Sequence, residues 1–237
     1  MGLGIFYMIF YGVIIQPHRD EWLFFYLGLV IGYVTDYMGV KTKKWKYHPW
    51  DPEYGYSRFG GFAWGMTSMF TYMIGKTLSV SSEMFFFPEI LLLVPVVTLE
   101  WKYGETRRDQ YFLFARAIFT FFAFFFSNSL GLLFIACCIG SYIEFVGVTW
   151  IKNWLYIDTM SYVFLSFGYS LVILTIKVIV DLLIGNFIGP LLWFFFILAI
   201  LCYGIDLFYF QKKAVTKYGL DTSAKVVVVA ERFQQEK

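Results

Sequence analysis

"IGYVTDYMGV" at residues 31–40 and "IGSYIEFVGV" at residues 139–148 carry one pattern twice. Ile31/Ile139, Gly32/Gly140, Gly39/Gly147 and Val40/Val148 are identical, Tyr37/Phe145 is conservative, and Asp36 and Glu144 put an acid in the same place. The offset is 108 residues, close to half of the 237-residue chain. Each stretch ends an apolar run, and each is followed by an echo: "KKWKY" and "KNWLY" align Trp45 with Trp154 and Tyr47 with Tyr156 after a one-residue shift. On a helix, Gly32, Asp36, Gly39 and Val40 share one face, at i, i+4, i+7 and i+8, and Gly140, Glu144, Gly147 and Val148 repeat the arrangement. Glycine on that face lets a neighbouring helix or a ligand come close. The acids then point into the bundle, where both can face one central cavity. This reading makes the chain a duplicated helical protein with one acid per half.

Composition sets the solvent. The chain is 59% hydrophobic with 15% charged residues, against about 25% charge in an ordinary soluble domain. Its apolar runs, such as "LLFIACCIG" and "LLWFFFILAILCYG", are continuous, whereas a membrane β-barrel alternates apolar and polar residues. The class is therefore all-α, a polytopic transmembrane helical bundle. A helix needs about 20 apolar residues to cross a bilayer. Eight runs are candidates: 1–16, which is short, 21–40, 58–78, 84–101, 110–127, 129–149, 160–183 and 186–207. The first lacks a basic leader and a small-residue cleavage site, so it reads as a span and not as a removable signal. The order implies a four-helix half over 1–105, a second over 106–210, and a polar tail over 211–237.

Lys and Arg orient the bundle. With the N-terminus inside, the inner loops and tail hold fifteen Lys and Arg, the outer loops only Arg19 and Lys76, and Arg116 and Lys177 fall within spans. Both termini are expected in the cytoplasm, with the protein in the cell membrane. Four spans per half make the repeat parallel, related by an axis along the membrane normal.

Asp36, Glu144 and Glu89 are the candidate catalytic residues. Carboxylates inside a membrane are costly and mark functional sites by default. Glu89 follows Pro88 part way into its span, where proline frees a carbonyl and kinks the helix. Lys177 and Asp181, four residues apart, suit an intrahelical ion pair, and Arg116 can partner a carboxylate across the bundle. Glu100 and Asp206 lie near the inner ends of their spans. Six tryptophans, Trp22, Trp45, Trp50, Trp101, Trp150 and Trp154, fall at span ends as an aromatic belt, while Trp64 and Trp193 lie deeper. Aromatic residues make up 23% of the chain, enough to line a pocket for a cationic or polyene ligand.

Much else is excluded. No basic block is interleaved for nucleic acid. No Cys/His spacing holds a metal, and no nucleophile elbow, HExxH or Walker loop occurs, so no metal or cofactor is expected. Carboxylate acid–base chemistry is what remains for an enzyme.

"DYMGVKT" at residues 36–42, with Tyr47 downstream, resembles an acidic-x-x-Gly-Val-x-Thr pattern of membrane proteins of carotenoid biosynthesis, of the hydratase type. The membrane lycopene cyclases are similar in being small, polytopic, duplicated and carboxylate-dependent. The sequence departs at Lys43, where glycine is expected, at Asp36, where glutamate is usual, and at Pro88-Glu89, which lacks the second acid of the cyclase element. The resemblance covers about a dozen residues. It implies that a buried carboxyl protonates a double bond of an isoprenoid and a second carboxylate takes a proton back or directs water, with Glu144 or Glu89 as acid and Asp36 as partner. The partner molecule is then a membrane lipid or isoprenoid. Two other classes stand beside it. A proton- or cation-coupled carrier is favoured by Pro88 and Pro190 in corresponding spans, and a non-catalytic membrane scaffold needs no acid pair at all.

Overall fold

The computed structural model describes residues 12, 16–41, 45–47, 60–78, 107–145, 154–156 and 162–205. In chain order they form α1 (Arg19–Lys41), β1 (Trp45–Tyr47), α2 (Gly60–Leu78), α3 (Arg107–Phe126), α4 (Leu130–Phe145), β2 (Trp154–Tyr156), α5 (Tyr162–Ile184) and α6 (Pro190–Ile205). The fold is all-α, with one short ribbon. Each helix coincides with one of the apolar runs, its ends shifted by at most four residues. Runs 1–16 and 84–101 and the tail 211–237 lie outside the described residues. Among the described residues, α1 over Arg19–Gly39 is the one helix long and apolar enough to cross a membrane, and Phe114–Phe126, Leu130–Gly140 and Pro190–Ile205 are shorter apolar helices.

Local chemistry sets the helix ends. The His18 N–H donates to Glu21 Oε2 at 2.7 Å while Trp22 N–H donates to the His18 carbonyl. The glutamate three residues in thus satisfies the N-terminal donor, and Asp20 and Glu21 sit at the positive end of the helix dipole. α3 stops at Asn128, whose φ of 50° is left-handed, and the Ser129 N–H closes onto the Phe124 carbonyl at 2.9 Å. α5 stops in the same way. Gly185 takes φ 81° and the Asn186 N–H reaches the Asp181 carbonyl at 2.8 Å. Both are Schellman ends, which need a residue that tolerates positive φ.

Four helices close into a ring. α1 packs on α2, α2 on α4, α4 on α5, and α5 back on α1, so α1 and α4 lie on one diagonal and α2 and α5 on the other. α3 and α6 pair with each other and lean on α5. The centre is packed by Phe24 from α1, Leu133 and Cys137 from α4, and Ile173 and Leu174 from α5. Under the ring, β1 and β2 pair antiparallel, Trp45 opposite Tyr156, Lys46 opposite Leu155 and Tyr47 opposite Trp154. A two-fold axis through the Lys46–Leu155 pair exchanges Trp45 with Trp154 and Tyr47 with Tyr156, the equivalence already visible in the sequence. In the ring α1 faces α4 across one diagonal and α2 faces α5 across the other.

Candidate functional site

The repeated glycines meet side chains, and those side chains meet each other. A Cβ on Gly32 would stand 2.1 Å from Trp64 Cγ, and one on Gly140 would stand 2.9 Å from Tyr169 Cβ. Trp64 and Tyr169 in turn stack on one another, with centroids 4.6 Å apart and planes 23° apart. The sequence holds a second echo that explains the pair. Phe62-Ala63-Trp64-Gly65 aligns with Phe167-Gly168-Tyr169-Ser170 at an offset of 105 residues. Both rings are half-buried, and each is seated on a glycine of the repeated pattern. At this level each small residue admits a neighbour's ring.

Asp36 lies one turn farther along α1, about 6 Å on at 1.5 Å per residue. It is buried to 6% exposure, and Gly32 and Gly39 on the same face are buried too. The inward face read from the spacing is thus the face α1 presents to the bundle. Glu144 occupies the matching position in the last turn of α4, four residues after Gly140, and its side chain lies outside the described residues. Glu89, Glu100 and Asp206 also lie outside them. Of the three candidate acids, the structure buries Asp36 and places the Glu144 position on the helix at the other end of the same diagonal. α2 begins at Gly60, one turn before Trp64.

An open groove runs along α2 beside α4, with a volume of about 560 Å³, lined among the described residues by Phe62, Ala63, Met66, Thr67, Phe70 and Ile74 of α2 and Ile139 of α4. Among these described lining residues Thr67 is the polar one. The groove follows the α2–α4 seam, and its α2 wall begins two residues from Gly60.

The outer end holds charges that the sequence did not bring together. Asp20 Oδ2 accepts from Tyr72 OH at 2.8 Å and from Lys76 Nζ at 2.7 Å, and Glu21 Oε1 stands 3.9 Å from the same ammonium. Burial works against ionisation of Asp20, but the hydrogen bonds from Lys76 and Tyr72 and the Lys76 charge outweigh it and hold the carboxyl below its usual range. Asp20 and Lys76 are 56 residues apart, and each reads as an ordinary interfacial charge, so no local signal pairs them. On α5 the expected Lys177–Asp181 ion pair forms, joined by Asn186 Nδ2 at 3.0 Å. Arg116 is buried, with its guanidinium carbon 5.7 Å from the centre of the Tyr203 ring. Asp20, Tyr72 and Lys76 tie α1 to α2, Arg116 on Tyr203 ties α3 to α6, and Lys177, Asp181 and Asn186 close the end of α5.

Among the described residues, no group of three His, Cys, Asp or Glu side chains is placed to hold a metal ion. No protein-family model, curated protein or solved structure matches the chain.

Proposed function

We propose that this is an integral membrane enzyme of isoprenoid or other lipid metabolism, in which intramembrane carboxyls exchange protons with a carbon–carbon double bond. In this reading the eight apolar runs are eight spans, the four-helix halves 1–105 and 106–210 are related by a parallel two-fold, and the tail 211–237 and the N-terminus face the cytoplasm of the cell membrane. A stripe of outward apolar side chains along the whole of α6, Leu191, Phe194, Ile197, Leu201 and Ile205, supports lipid as the solvent. Water would make such a patch an association surface.

The observation that carries the reading is Asp36, a carboxyl buried to 6% exposure beyond the apolar middle of α1. Removing a carboxylate from water costs several kcal/mol or more unless a proton or a partner offsets it. Buried carboxyls cluster at sites that take up and release protons, which supports Asp36 as a proton acceptor. Apolar packing outward from the Trp64–Tyr169 stack supports chemistry at the inner end of the ring, beside the position of Glu144. One carboxyl gives its proton to the double bond, forming a C–H bond and leaving a tertiary cation. The electrons of a neighbouring double bond then close a ring, or water adds. The second carboxylate takes up the proton released, so the two acids finish with their protonation exchanged. Glu144 or Glu89 as donor and Asp36 as acceptor is the assignment adopted.

Comparative lipid mass spectrometry tests this. Host cells supplied with isoprenoid precursors carry wild type, Asp36→Asn or Glu144→Gln at matched protein levels. The reading expects a product in wild type that both variants lose. Identical lipid profiles in all three sink it.

A further inference from the structure

We draw no further inference here: the strongest candidate, the open apolar groove along α2 beside α4 lined by Phe62, Met66, Phe70 and Ile139, has nothing in the structure to show what covers it.

Discussion

Replacing Gly32 with alanine strikes the contact on which the centre of the ring depends. The new methyl would lie 2.1 Å from Trp64 Cγ and 2.3 Å from its Cβ, whereas carbon atoms pack at about 3.5–4.0 Å. Those two atoms sit at the root of the side chain and cannot swing aside. α1 and α2 must part by about 1.5 Å, and overpacking of this kind costs about 1–3 kcal/mol. Loss of the Tyr169 stack adds about 0.5–1.5 kcal/mol, and the gain from alanine's helix propensity returns at most about 1 kcal/mol. The net loss is about 2–3 kcal/mol, which lowers Tm by about 5–10 °C at about 2–4 °C per kcal/mol for a chain of this length. Gly140→Ala, whose methyl meets Tyr169 Cβ at 2.9 Å, has less to displace and lowers Tm by less. Gly168→Ala has nothing within 4 Å and leaves Tm unchanged or slightly raised. Thermal unfolding of the three variants in one detergent, followed by tryptophan fluorescence, reads the order directly. Gly32→Ala melting within about 2 °C of wild type refutes the seating of Trp64 on that glycine.

Other consequences are open to measurement. Paired cysteines at Lys46→Cys and Leu155→Cys, opposite one another in the ribbon, should form a disulfide under mild oxidation. Lys46→Cys with Ile139→Cys should not, and the reverse result denies the register. Tyr72→Phe and Lys76→Met each remove a donor to Asp20 and should lower Tm at neutral pH. The sign with pH follows from the depressed Asp20 value: the tie is present above the usual carboxylate range and is lost as pH falls through the lowered value, so wild type and Lys76→Met should converge in acid. A gap in Tm that widens on acidification contradicts this. Lys177→Met should destabilise the outer end of α5 by about 1–3 kcal/mol, seen as faster amide exchange around Asp181; unchanged exchange denies the tie.

What the sequence made legible was whatever a single element can record. Apolar runs located the six described helices, because continuous burial in core or lipid leaves an unbroken hydrophobic signature. The i, i+4 and i+7 spacing of Gly32, Asp36 and Gly39 gave the buried face of α1, because helical periodicity is local. The echo of Trp45 in Trp154 is matched by the antiparallel ribbon, whose own symmetry exchanges those residues. Relations between elements were not legible. Nothing in "GGFAWG" says that Trp64 rests on Gly32, since a large ring and a glycine become partners only when two helices cross at that depth. The echo between Phe62-Ala63-Trp64-Gly65 and Phe167-Gly168-Tyr169-Ser170 could have pointed to the stack, but its offset differs from that of the acids by three residues. Asp20, Tyr72 and Lys76 escaped notice for the same reason, because each is unremarkable until the outer ends of α1 and α2 meet.

The central claim is that a carboxyl proton of this chain enters a carbon–hydrogen bond of a lipid. Purified protein in nanodiscs, incubated with an isoprenoid lipid extract in D2O, tests it most directly by mass spectrometry of the recovered lipids. The account predicts a product carrying one non-exchangeable deuterium per protonation event, absent with Asp36→Asn and with Glu144→Gln. A product formed without deuterium, or formed equally by both variants, contradicts it.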